Sequence, residues 1–133
     1  MHAHDLPTVD VREAQRRTDA EGDDPAPLLL DVREDDELVS YRAPGIAHLP
    51  LSRFMGGVDR LPRDRPILVI CQSGGRSASV TDYLLRNGWT DVANVAGGMG
   101  AWRAAGLPTR IGPLAPGEGA LPDPADPEAD PGA

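Results

Sequence analysis

One cysteine, two glycines, an arginine and two serines stand together in the segment Cys71-Gln72-Ser73-Gly74-Gly75-Arg76-Ser77. Gly74 and Gly75 tolerate positive φ, which lets successive backbone N–H groups turn inward and make a concave anion nest. A helix beginning after the glycines adds unpaired N–H groups and the positive end of its dipole. Arg76 brings a permanent charge to the rim. A thiol at the centre of such a nest ionises below the value of about 8.5 typical of a free cysteine. The expected species is therefore an anionic sulfur, as Cys71 thiolate or as the outer sulfur of a persulfide on Cys71. A thiolate that attacks a sulfane-sulfur donor and later passes that sulfur on works by covalent catalysis in two half-reactions. The nest itself supplies the ionised nucleophile, so no separate base is required. The competing reading makes Gly74-Gly75 a plain tight turn, Arg76 a solvated side chain and Cys71 an inert core residue, since free cysteine is often buried.

The surrounding pattern predicts where this segment sits. Residues 67–70 form an apolar run entered from Pro66 and leaving into Cys71, and residues 28–32 form a second such run. Both suit strands of a parallel sheet covered on both faces. Further short strands are expected at residues 8–9, 46–49 and 92–95. Asp10 with Glu13 reads as a capping box for a helix through Arg17. Helices are also expected at residues 34–41, 52–55, 76–86 (stopped by Asn87-Gly88) and 98–105. Alternation of strand and helix implies an α/β fold with helices on both faces of a parallel sheet. Ligands of such sheets bind beyond the carboxyl ends of the strands, where Cys71 falls.

With 133 residues the chain suits one domain. Its net charge is -8, and five of its 21 acids (Glu118, Asp123, Asp126, Glu128 and Asp130) follow residue 110, where no base occurs. The 13 bases, all arginine, thus face 16 acids in residues 1–110. Residues 111–133, rich in Pro, Gly and acid, are expected to form a disordered tail beyond a domain of residues 1–110. Without a basic stripe, nucleic acid is not an expected partner. No run of about 18 apolar residues and no leader-like start is present, so a cytoplasmic protein away from membranes is expected. The single cysteine excludes an internal disulfide and a cysteine-cluster metal site. No metal and no cofactor are expected.

The segment from Cys71 to Ser77 resembles the CxxGxRS active-site loop of the rhodanese-homology family. Three further stretches agree with it in order. Leu30-Asp31-Val32-Arg33 is similar to the family's first signature, and Pro44-Gly45-Ile46-Ala47-His48-Leu49-Pro50-Leu51 to the end of its GHIPGAxNIPL segment. Gly97-Gly98-Met99-Gly100-Ala101-Trp102 is similar to its closing GGxxAW. The likeness runs from about Val9 to Leu107. It implies a rhodanese-like sheet of about five parallel strands, and a sulfurtransferase carrying sulfane sulfur on Cys71 from a donor such as thiosulfate to a thiol or cyanide acceptor, or to a sulfur-relay protein. Residues Gln72, Ser73, Gly74, Gly75, Arg76 and Ser77 would then bind the persulfide, with Arg76 also facing the substrate. One departure is Tyr41-Arg42 where the family has Gly-His; it reads either as a tolerated surface change or as bringing Arg42 to the pocket edge beside Arg33. Asp31 and Arg33 suit an ion pair that supports the scaffold.

Two rivals share these residues. A cysteine phosphatase or arsenate reductase uses a Cys-x5-Arg loop, one residue wider than the four that separate Cys71 from Arg76, and the smaller ring suits a sulfur atom better than a tetrahedral oxyanion. A non-turnover persulfide carrier, or a module sensing sulfide or oxidants through Cys71, needs the same nest without rapid discharge. His48 is expected to be a hydrogen-bonded structural residue, Trp89 and Trp102 to be core, and His2 and His4 to bind metal only adventitiously.

Overall fold

The computed structural model describes residues 6–19 and 26–122. Five parallel strands, β1 (Thr8–Val9), β2 (Leu28–Asp31), β3 (Ala47–His48), β4 (Ile67–Ile70) and β5 (Val92–Val95), lie in the order β1-β5-β4-β2-β3. Five helices intervene: α1 (Val11–Asp19), α2 (Asp35–Ser40), α3 (Phe54–Gly57), α4 (Gly75–Arg86) and α5 (Gly98–Ala104). Single 3-10 turns at Leu51–Arg53 and Val58–Arg60 flank α3. None of these helices is long and apolar enough to cross a membrane.

The central strand is β4, paired with β2 through Leu28↔Ile67 to Asp31↔Ile70 and with β5 through Ile67↔Val92 to Val69↔Asn94. Every residue of β2 and β4 is buried, which explains why both read as unbroken apolar runs instead of alternating ones. Alternation survives in which face each residue serves. Leu28, Leu30, Ile67 and Val69 pack with Phe54 of α3 and Val80 and Leu84 of α4 on one side. Leu29, Leu68 and Ile70 pack with Val11 and Ala14 of α1, Leu38 of α2, and Met99 and Trp102 of α5 on the other. Asp10 caps α1 by accepting the Glu13 N–H at 2.8 Å, while the Glu13 carboxylate turns to Arg16. The two tryptophans are core residues as expected, their indole N–H groups donating to Leu61 O (3.4 Å) and Pro108 O (2.7 Å).

The boundary expected at residue 110 differs from the packing. Residues 111–122 fold back along the edge strand: His48 N donates to Gly119 O at 2.8 Å, Gly112 N donates to Val39 O at 2.8 Å, and Leu114 and Leu121 reach the two cores. What holds this strap is Arg42. Its guanidinium is 2% exposed and donates to Glu118 Oε2 at 2.6 Å, Glu118 Oε1 at 3.0 Å, Gly112 O at 2.7 Å and Leu38 O at 3.0 Å. Its backbone exchanges both hydrogen bonds with Arg110. The disorder expected for residues 123–133 lies outside the described residues.

The strap makes a pH prediction. The Arg42 guanidinium, followed by the Ala115 N–H, holds the Glu118 carboxyl at about 2, against an ordinary 4.5. A carboxyl depressed by folding stabilises fully above its unfolded value, and the contribution fades as pH falls toward the folded one. Between pH 4.5 and 2 the thermal midpoint of the wild type should therefore fall more steeply than that of Glu118→Gln. Parallel curves for the two proteins would contradict the assignment.

Candidate active site

Cys71 follows β4 directly, at the carboxyl end of the central strand. Its own carbonyl and that of Gln72 are engaged by α5, accepting the N–H groups of Met99 at 2.7 Å and Gly100 at 2.9 Å. This anchoring leaves the following amides free to face inward. Gly74 has φ +108, a left-handed conformation open to glycine, and it brings the chain into α4. Gly75, which also tolerates positive φ, has ordinary helical backbone as the first residue of α4. One positive φ suffices for the turn.

The sulfur is buried, at 1% residue exposure, and three donors converge on it. Gly74 N lies 3.1 Å from Sγ, Ser77 N 3.3 Å and Ser77 Oγ 3.2 Å. Burial is the largest single influence on the thiol and pushes its pKa up. The Ser77 hydroxyl and the amides of Ser77, Gly74 and Ser73 together outweigh it, so that the net shift is downward. The donors within 3.3 Å of Sγ come from Gly74 and Ser77, with the Ser73 amide adding the smallest of these contributions.

Arg76 departs from expectation. Its guanidinium forms a two-pronged ion pair with Glu37 of α2, Nη1 to Oε1 at 2.8 Å and Nη2 to Oε2 at 2.9 Å. Glu37 Oε1 also accepts the Glu34 N–H at 2.9 Å. Arg76, foremost, holds the Glu37 carboxyl at about 2. The pair ties α2 to the first turn of α4 and neutralises the charge that Arg76 brings to the rim.

Arg33 supports the loop without touching the sulfur. Fully buried, it pairs with Asp31 (Nη2 to Oδ2, 2.9 Å) and donates to Tyr41 O at 2.8 Å and to Gln72 Oε1 at 3.2 Å. The Gln72 amide also donates to Tyr41 Oη at 2.7 Å, so the side chain of Gln72 is clamped from both ends. Arg42 lies elsewhere. It faces Glu118 and the strap, so the pocket-edge expectation for it is corrected: the substitution at Tyr41-Arg42 places tyrosine against the loop and arginine in a buried anchor. His48 is structural, with Nε2 at 2.6 Å from Arg33 O.

Glu37, Tyr41 and Asn94 complete the site, and the sequence reading did not single out Glu37 or Asn94. Asn94 Oδ1 accepts the Ser77 hydroxyl at 2.6 Å. The only sequence signal for it was a polar residue inside the otherwise apolar strand β5.

Comparison with known proteins agrees with this fold. The family described as "Rhodanese-like domain" matches residues 2–105. A sulfurtransferase of Allochromatium vinosum is 35% identical over 81 residues, covering 61% of this chain and 76% of the relative. The thiosulfate sulfurtransferase GlpE of Actinobacillus succinogenes is 36% identical over 81 residues, covering 61% and 73%. Among solved structures, a rhodanese-related protein of Thermoplasma volcanium superposes with a TM-score of 0.71 at 26% identity, covering 80% of this chain and 99% of that one. A five-stranded parallel sheet, a cysteine loop at the end of its central strand and a family match across most of the length lead to one conclusion: this chain belongs to the rhodanese-like domain family, among whose members are sulfurtransferases.

Proposed function

We propose that this protein is a thiosulfate sulfurtransferase-like enzyme that carries sulfane sulfur as a persulfide on Cys71. The observation that carries the reading is the convergence of two amides and a hydroxyl on Cys71 Sγ within 3.3 Å. These donors stabilise a thiolate at rest. In the persulfide, the Gly75 and Arg76 amides, which belong to the first turn of α4 and have no acceptor within that helix, supply donors for the outer sulfur. Loading forms a bond between Sγ and the sulfane sulfur of thiosulfate, whose own S–S bond breaks with the electron pair leaving on sulfite. Discharge forms a bond from the acceptor, a thiolate or cyanide, to the outer sulfur, and the pair of the breaking S–S bond returns to Sγ. No cofactor is required by either step.

Each half-reaction uses the same sulfur, so the donor must leave before the acceptor enters. Initial rates measured over a grid of thiosulfate and cyanide concentrations should give parallel double-reciprocal lines. Lines that intersect would mean a ternary complex and would remove the persulfide intermediate from the pathway. Faster hydrolysis of an aryl phosphate than transfer of sulfur would sink the loop-size argument as well.

A further inference from the structure

The Ser77 hydroxyl carries one proton and lies between two acceptors, Cys71 Sγ at 3.2 Å and Asn94 Oδ1 at 2.6 Å. Both partners lie away from bulk solvent: Ser77 is fully buried and Asn94 is 8% exposed, so the contest for this one proton is set mainly by the groups around it. Asn94 is fixed on β5, where its N–H donates to Pro7 O at 2.9 Å and its backbone pairs with Val69 beside the cysteine strand. Its Nδ2 points at Gly74 O, 3.4 Å away. The amide carbonyl therefore has a defined aim, at the hydroxyl that touches the reactive sulfur.

We propose that Asn94 is a positioning residue that competes with Cys71 for the Ser77 proton and so sets how strongly the sulfur is held as an anion. The catalytic meaning rests on the sulfur-transfer reading above. When Sγ is a thiolate, it draws the Ser77 O–H. Once Sγ bonds the donor's sulfane sulfur, the inner sulfur is neutral and a poor acceptor, and the O–H turns to Asn94. On discharge the electron pair of the breaking S–S bond returns to Sγ and the O–H turns back. Ser77 keeps its proton throughout; only its direction changes. Asn94 gives that proton somewhere to go while the persulfide exists, and it keeps the free thiolate from being stabilised so far that it loses nucleophilicity.

The charged groups nearest the cysteine loop are two ion pairs, Asp31 at the end of β2 with Arg33 just beyond it, and Arg76–Glu37 between α4 and α2. Both are internally balanced, and substitution at position 94 leaves them in place. The test is the pH dependence of Cys71 alkylation by iodoacetamide in the full chain. Asn94→Ala frees the Ser77 proton for the sulfur and should lower the midpoint by about one pH unit. Ser77→Ala should raise the midpoint, and adding Asn94→Ala to it should then change nothing, since the shared proton is gone. A midpoint that rises or stays fixed in Asn94→Ala, with far-UV spectrum and melting intact, overturns the proposal. So does an Asn94→Ala effect that persists without the Ser77 hydroxyl. Should Asn94→Ala fail to fold, Asn94→Val, better suited to a strand and equally without an acceptor, takes its place. Alkylation needs no sulfur donor, so a protein that failed to transfer sulfur would still decide this point.

Discussion

Cys71→Ser is expected to reduce sulfur transfer to the uncatalysed background, a loss of about a thousandfold or more, while the fold stays intact. Serine fills nearly the same volume at a buried position, and the donors that surround Sγ can bond a hydroxyl. What is lost is nucleophilicity and the capacity to hold a second sulfur, because a hydroxyl ionises far above neutral pH and makes no persulfide. Steady-state rates with thiosulfate, measured beside a denaturant melt, separate loss of chemistry from loss of structure. Residual turnover near the wild-type rate would move the chemistry away from this residue, and no other cysteine is present to receive it.

Gly98→Ala should be almost as damaging by a different route. A Cβ on Gly98 would stand 2.3 Å from Cys71 O and 2.7 Å from both C and O of Gln72, all backbone atoms that cannot swing aside, and Gly98 has φ +58. Left-handed backbone costs a non-glycine residue about 1–2 kcal/mol, and overpacking a further 1–3 kcal/mol. A stability loss of about 2–5 kcal/mol is expected in a denaturant melt. The same push breaks the Met99 N–H to Cys71 O and Gly100 N–H to Gln72 O bonds that engage the loop's carbonyls. The inward amides then lose their aim and the alkylation midpoint of Cys71 rises. Gly75→Ala is the contrast: it has ordinary backbone and nothing within 4 Å of the added Cβ, so both readouts should stay close to wild type. Equal behaviour of the two variants would deny that α5 shapes the loop.

This dependence explains how the closing Gly97-Gly98 motif and the cysteine loop, 26 positions apart between Gly98 and Gln72, act as one structure. The separate pieces were legible in the sequence because each has a local cause. Strands β2 and β4 showed as apolar runs since both of their faces are covered. The α4 helix showed as a stretch bounded by Gly74-Gly75 and Asn87-Gly88. The position of Cys71 followed from the strand before it.

What stayed hidden depends on contacts between distant residues. Arg76 was read as a rim charge facing substrate, but Glu37, 39 positions earlier, claims its guanidinium. The departure from Gly-His at Tyr41-Arg42 points Arg42 to the surface or the pocket edge, whereas its partner Glu118 lies 76 positions later and buries it. The strap itself was obscured by averaging: a 23-residue window of Pro, Gly and acid hides the two leucines and the one carboxylate that dock residues 111–122. Two adjacent glycines both tolerate positive φ, and nothing local says which of them uses it; the turn needs only Gly74.

The central claim is that main-chain donors hold Cys71 ready to bond a second sulfur. Its most direct test is intact mass measurement with peptide mapping after brief exposure to thiosulfate. The expected spectrum shows one added sulfur atom on the peptide containing Cys71, lost again on treatment with cyanide or a small thiol. An unmodified protein under conditions where sulfite is released, or the added mass on a peptide without Cys71, would contradict it.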